Sequence, residues 1–294
     1  MFDNNFFNEL LNGALLFSVL RIATPLFYVC LGGFFSEKSG VVNVALEGFM
    51  MVGAFSAAAV AFFYKSAPLA WVIAFIIGCL YASAYAFLVI ELKAQQIVTG
   101  MAMNILALGI IPFISKLLFN STGSTPSLDA ASRFEYFPYI FILILFLTII
   151  FGLKKQYWGL WLNFAGEHPE ALATSGTSVR KVRWVAVVLS GGLTAWGGAT
   201  LSLALASSYS PQMTAGRGFI ALAALIFGRW SAWGALAACL FFALAEALQI
   251  RMQGVLLGGY KIPVEFIQIS PYILTLLALA FFNNRHAMPK YLGR

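Results

Sequence analysis

Three polar clusters stand inside an otherwise apolar chain. The first is Asn43 and Glu47, in "SGVVNVALEGFMM", four residues apart. On a helix that spacing gathers them on one face with Gly40, Met51 and Ala54. A charged residue at the centre of a membrane helix costs about 2.5–3.5 kcal/mol on insertion scales, so it faces protein or a wet cavity. Two roles fit: a polar face lining a substrate path, or a hydrogen bond that pins a helix re-entry. The second cluster is Gln96, Gly100 and Asn104 in "ELKAQQIVTGMAMN", at i, i+4 and i+8. Two amides with a glycine between them could line a pathway or lock a helix pair. The third is "SSYSPQMTAGRGFIALAALIFGRW", where Pro211 and Gly216–Gly218 break any helix and Arg217 opens the next. A helix broken within the membrane frees backbone groups that suit polar molecules. An external turn followed by an ordinary helix is the alternative. Glu246, three residues before Gln249 near the end of a span, reads as an interfacial contact.

No enzyme chemistry can be assembled from these residues. His168 and His286 lie in loops, and Cys30, Cys79 and Cys239 sit in separate apolar runs without metal-ligand spacing. The cysteines read as small buried residues. No Gly-x-x-x-x-Gly-Lys-Ser/Thr phosphate loop occurs, so the chain does not hydrolyse ATP by that route. Neither a Ser-His-Asp set nor a paired-carboxylate arrangement can be argued from spacing.

The elements that must position these clusters are membrane helices. Of 294 residues, 61% are hydrophobic and 10% charged, against about 25% charged in a soluble domain. The apolar runs are continuous rather than alternating, which favours helices over a barrel and predicts an all-α polytopic bundle forming a single membrane domain over residues 1–294. The runs are Gly13–Phe34, Val41–Phe63, Pro68–Ile90, Ile97–Leu118, Pro138–Leu153, Trp184–Leu205, Phe219–Gly228, Ala232–Ile250 and Val264–Phe282. That predicts about 8–10 membrane segments, some short or broken. Phe219–Gly228 is too short to cross unaided. Glu47–Ala57 and Arg217–Ala232 each place a charge before Gly-Phe and an apolar run, a weak internal symmetry of the kind transporters carry.

The net charge of +7 is spread over short loops and reads as topology rather than nucleic-acid binding. The loop Lys154–Arg183 holds Lys154, Lys155, Arg180, Lys181 and Arg183 against Glu167 and Glu170, and the tail holds Arg285, Lys290 and Arg294. Both are expected in the cytoplasm, which puts the N-terminus, with Asp3 and Glu9, outside. That N-terminus has no basic residue before Arg21, so no cleaved signal peptide is predicted. The loop Phe119–Phe137 is then external. Within the cytoplasmic loop, Pro169 suits a helix first turn, Glu170 its positive end and Gly176 its stop, predicting a short helix Pro169–Thr174. It is either a solvated connection or a docking element for a cytosolic partner.

Three stretches, Phe34–Phe55, Gly166–Trp184 and Met213–Ala235, resemble permease subunits of bacterial ATP-binding-cassette importers, in the branch for branched-chain amino acids, ribose-type sugars and nucleosides. The nucleoside (simple sugar) permeases are the nearest likeness, and because the three stretches lie at the beginning, middle and end, the resemblance extends over nearly the whole chain. Glu170-Ala171-Leu172 followed by Gly176 is similar to the Glu-Ala-Ala-x-x-x-Gly signature of such permeases, departing from it at Leu172. The resemblance implies that Glu170, Ala171 and Gly176 dock in a groove of an ATPase subunit. It further implies a second, different permease chain and an external substrate-binding lipoprotein. ATP and magnesium then belong to the ATPase partner, with no cofactor in this chain and alternating access as the mechanism. The other reading is a proton-coupled secondary transporter or channel titrating Glu47 and Glu246; the other substrates are a simple sugar or a branched-chain amino acid.

Overall fold

A computed structural model describes residues 13–145, 157–252, 256–257, 260–261 and 288–293. In chain order the helices are α1 (Gly13–Lys38), α2 (Leu46–Tyr64), α3 (Ala67–Glu91), α4 (Gln96–Phe119), α5 (137–145), α6 (Tyr157–Glu167), α7 (Pro169–Thr174), α8 (Val179–Leu205), α9 (Arg217–Phe227) and α10 (Ala232–Met252). Six of them, α1 to α4, α8 and α10, are long and apolar enough to cross a membrane. The architecture is an all-α polytopic bundle; Leu256–Leu257 and Tyr260–Lys261 add a two-residue antiparallel pair. The expected span Val264–Phe282 lies outside the described residues, as does much of Pro138–Leu153.

The centre of the bundle is made by α2 and α8, whose apolar windows are 83% and 78% buried, against 33% for α3, α4 and α10. The sequence "SGGLTAWGGAT" in α8 explains this. A Cβ at Gly198 would collide with the Met50 carbonyl of α2, and one at Gly53 would collide with the backbone of Ala195. Small residues let the two backbones touch, the usual basis of helix association in lipid. The outward faces of α3 and α4, with Leu80, Ile97, Val98 and Ile105, are exposed on the isolated chain.

Boundaries differ from expectation in two places. The run Val41–Phe63 is not one helix: residues 41–45 are irregular and α2 starts at Leu46. Gly40 turns the chain at φ +94°. Val41, Val42 and Val44 favour extended backbone, and the Asn43 side chain takes the Ala45 N–H that a helix would have used (3.1 Å). The polar loop Lys154–Arg183 is mostly helical, because Tyr157–Glu167 forms α6 and α8 already begins at Val179, where Ser178 caps the Lys181 N–H. The helix expected at Pro169–Thr174 has those bounds, and Gly176 follows it at φ +82°.

The short run Phe219–Gly228 belongs to α9, whose 11 residues extend only about 16 Å. The chain leaves α8 beside the loop 120–136, where Leu128 and Thr125 donate to the Ser207 and Tyr209 carbonyls. It reaches the opposite end of the bundle at Trp230, whose indole donates to Glu37 near the end of α1 (2.5 Å). Residues 206–216 therefore descend without regular helix, and α9 begins within the bundle rather than at its edge.

Candidate functional site

Two helix N-termini meet inside the bundle, that of α2 at Leu46 and that of α9 at Arg217. Each leaves backbone N–H groups without partners in its own helix. The polar residues singled out in the sequence supply those partners. Asn104 of α4 accepts from the Gly48 N–H (2.8 Å) and donates to the Val44 carbonyl (3.0 Å). Gln96, two turns earlier on the same face, accepts from the Val42 N–H (2.7 Å). Gly100 stands between them because a Cβ there would lie 3.1 Å from both Ala45 N and Val44 Cβ. Tyr85 of α3 donates to the Val42 carbonyl (2.5 Å), and Ser36 of α1 to that of Val41 (2.9 Å). The stripe Gln96–Gly100–Asn104 thus clasps the irregular backbone of residues 41–45 together with the first turn of α2.

Asn43 lies outside α2, so it does not share a helical face with Glu47. It is fully buried, and its amide nitrogen donates to Ser190 of α8 (2.9 Å). Glu47 stands in the first turn of α2, on the face of Met51 and Ala54. Its carboxylate reaches across to α9 and accepts from the Gly216 N–H (3.0 Å) and the Gly218 N–H (2.7 Å). A carboxylate at a helix N-terminus satisfies free donors and meets the positive end of the helix dipole. Gly218 has to be glycine, since a Cβ there would sit 2.5 Å from Glu47 N and 2.6 Å from its Cα.

Arg217 turns the other way. Its guanidinium pairs with Glu246 of α10 (2.6 Å) and donates to the Met213 carbonyl (3.0 Å). Glu246 is therefore one half of an ion pair with the start of a broken helix. Charges on two side chains this little exposed are best kept as a pair. The repeated charge-Gly-Phe stretches, at Glu47 and Arg217, mark the first turns of the two interior helices.

A cavity of about 390 Å³ opens beside these N-termini. Glu47, Met51 and Asn104 form one wall, and Gln212, Thr214, Ala215 and Gly216 from the irregular descent form another. Its mouth is rimmed by Met101, Ile105, Leu108 and Phe219, which are 45–69% exposed. Of the six expected path residues, Glu47 and Asn104 line this cavity, and Asn43, Gln96, Gly100 and Arg217 do not. A second groove of about 560 Å³ between α2, α3 and α4 is walled almost wholly by apolar side chains such as Phe55, Ile77 and Ile111. It lacks the convergent polar groups of a site for a polar solute.

Sequence reasoning passed over Gln212 and Thr214, which sit in a stretch read only for its helix breakers. It also passed over Glu37, 2% exposed and held by the Trp230 indole and the Asn43 N–H. A Glu six residues from Asn43 on the same approach was the available signal.

On the short helix α7, Glu170 and Ala171 are exposed while Leu172 is 2% exposed and packs on Ala165 and Val182. The departure from the signature at Leu172 thus falls on the buried side. Among the described residues no group of three His, Cys, Asp or Glu side chains could hold a metal ion.

The profile of the family described as "branched-chain amino acid transport system / permease component" matches residues 15–279. The chain is 38% identical to the guanosine ABC transporter permease protein NupQ of Bacillus subtilis, over 94% of each chain. It is 34% identical to the nucleoside ABC transporter permease protein NupC of Lactococcus lactis, over 93% of each. A putative glucose ABC transporter permease protein of Haloferax volcanii is 31% identical over 91% of each. No solved structure matches the chain.

Proposed function

This chain belongs to the family of permease components of branched-chain amino acid transport systems, and on that premise we propose that it is a nucleoside-importing permease subunit of an ATP-binding-cassette importer. The observation that carries the reading is the half-open cavity where the N-termini of α2 and α9 meet. Among the described lining residues Glu47 alone is charged, and it already spends both oxygens on Gly216 and Gly218. Those residues leave no free charge to meet the ammonium or carboxylate of an amino acid. Gln212, Thr214 and irregular backbone offer hydrogen bonds, and Met51, Met101 and Phe219 offer a flat apolar surface. A neutral solute with hydroxyls on one part and a planar base on another matches that lining, and about 390 Å³ lies within the range of small-molecule sites. The names of the relatives from B. subtilis and L. lactis favour the same class.

The exposed apolar rim at Met101, Ile105, Leu108 and Phe219 is where a second permease chain would complete the path. Energy enters from outside the chain, which has no phosphate loop. The exposed Glu170 and Ala171 on α7, with Gly176 ending that helix, would dock on an ATPase subunit that carries ATP and magnesium. Substrate would be delivered by an external binding lipoprotein. The face with α6, α7, Lys93, Arg180, Lys181 and Lys290 is the cytoplasmic one on this reading, and the protein is a multi-pass component of the bacterial plasma membrane with its N-terminus outside.

A proton-coupled mechanism through Glu47 and Glu246 finds less support, because one carboxylate caps a helix and the other is ion-paired. The test is uptake of radiolabelled guanosine in cells with and without an inactivated ATPase subunit. Uptake should vanish with ATP hydrolysis and ignore a collapsed proton gradient. Uptake that survives loss of the ATPase rejects the reading.

A further inference from the structure

We propose that the junction around Gly40 carries movement of the α6–α7 arm to the cavity, and that Arg183 and the C-terminal segment 288–293 are its positioning elements. The inference rests on the importer reading and adds a site to it. The arm is a small apolar knot of its own: Leu172 of α7 packs with Ala165 of α6 and Val182 of α8, flanked by Trp161, Phe164 and Val179. The knot meets α1 at backbone level. Gly166, at the end of α6, approaches the Lys38 carbonyl so closely that a Cβ would collide with it.

Two fasteners hold that approach. Arg183 donates from Nε to the Ser39 carbonyl (3.2 Å) and from Nη2 to the Ala165 carbonyl (3.5 Å), so one guanidinium joins the turn after α1 to the end of α6. The segment 288–293 crosses the same place. The Tyr291 N–H donates to the Gly166 carbonyl (2.9 Å), and the Gly293 N–H donates to the Gly40 carbonyl (3.0 Å). Gly40, at φ +94°, is strained for any side chain and tightly surrounded: a Cβ would lie 3.0 Å from Arg183 Nη2, 3.2 Å from the Tyr291 carbonyl and 3.4 Å from that of Ala165.

Beyond the junction the chain has little slack. Residues 41–45 are irregular but clamped by Gln96, Tyr85 and Asn104. They lead directly to Glu47, which holds the start of α9, while Glu37 on the near side of the junction holds Trp230 just past the end of α9. The stretch from residue 37 to residue 47 thus grips α9 at both ends through two carboxylates. A displacement of the arm pulls this stretch, and the stretch moves α9 and the cavity wall with it. A continuous set of packed and hydrogen-bonded groups between two places is one physical carrier of such coupling.

The test uses the whole importer complex in proteoliposomes, with Arg183→Gln to remove the double donor and Tyr291→Pro to delete one strap N–H outside the membrane spans. Three quantities are read: permease in the membrane, ATP hydrolysed, and radiolabelled guanosine accumulated. The expected result is near-normal insertion and hydrolysis with uptake reduced roughly tenfold, so that more ATP is consumed per guanosine. A merely structural Arg183 would lower insertion, hydrolysis and uptake in step and leave that ratio unchanged. If Arg183→Gln does not insert, Tyr291→Pro decides. An unchanged ratio while unaltered uptake follows ATP overturns the junction alone. Unaltered uptake that ignores ATP overturns the importer reading and the junction with it.

Discussion

The two interior helix starts carry the same local sequence pattern, Glu47-Gly48-Phe49 and Arg217-Gly218-Phe219, yet they are held in opposite ways. The approach to α2 is short and buried. Residues 41–45 hand their backbone groups to side chains from α1, α3 and α4. The approach to α9 is longer, runs beside the cavity, and leaves Gln212 and Ala215 exposed. Gln212, Ala215 and Gly216 all take positive φ there. The start of α9 is fastened chiefly by Glu47, a residue of the first site. One start is therefore an anchor, and the other is a movable wall hung from it. A transport path needs both, since a wall can shift between states only against something that does not.

Breaking the anchor should have the largest effect. Asn104→Leu keeps side-chain bulk but strands the Gly48 N–H and the Val44 carbonyl in a buried setting. Each unpaired buried group costs about 1–3 kcal/mol, so about 2–6 kcal/mol together. The expected outcome is a sharp fall in membrane-inserted protein and a lower unfolding temperature in detergent. Normal stability would show that the clamp on residues 41–45 is dispensable and would erase the contrast between the two starts.

Glu47→Gln attacks the link between anchor and wall. One amide oxygen can still accept, but the amide nitrogen faces a second N–H, so one charge-assisted hydrogen bond worth about 1.5–3 kcal/mol is lost. Because α2 keeps its own clamps, the protein should still insert. The descent 206–216 should loosen, seen as faster proteolysis there and guanosine uptake reduced more than abundance. Equal losses of abundance and uptake would mean that Glu47 belongs to the anchor's stability alone.

Local punctuation explains what could be read from sequence before these partners were known. Pro169, Glu170 and Gly176 set the bounds of α7 because a proline, an acid and a left-handed glycine act on their own turn. Gly216-Arg217-Gly218 marked a helix start for the same reason. The spacing of Gln96, Gly100 and Asn104 placed them on one face, as found. What they face was not legible, because residues 41–45 bind them across 54 and 60 residues of sequence. Asn43 was misplaced into a helix because an apolar run of valines has no period to separate strand-like from helical backbone. Glu37 was missed because its partner Trp230 lies 193 residues away.

Glu246→Gln removes the partner of Arg217 at the movable wall. Both side chains are about one-fifth exposed, and Arg217 keeps the Met213 carbonyl. The pair is worth less than a fully buried one, and a loss of about 1 kcal/mol is expected. Thermal unfolding in detergent should fall by a few degrees, with uptake reduced modestly. A collapse of folding would place this pair in the anchor class.

Gln212→Ala should have the smallest effect on stability and is the sharpest probe of the wall. Its side chain is exposed and lines the cavity, so folding should change by no more than about 0.5 kcal/mol. If the wall touches the solute, removing this amide should alter the preference among guanosine, adenosine and uridine in competition uptake, at unchanged protein abundance. The anchor residues cannot produce that signature, since Asn104 and Gln96 spend their amides on backbone and altering them lowers the amount of folded protein first. A variant that leaves both abundance and preference untouched would move the solute's path away from the descent to α9, and the difference between the two helix starts would then be one of construction only.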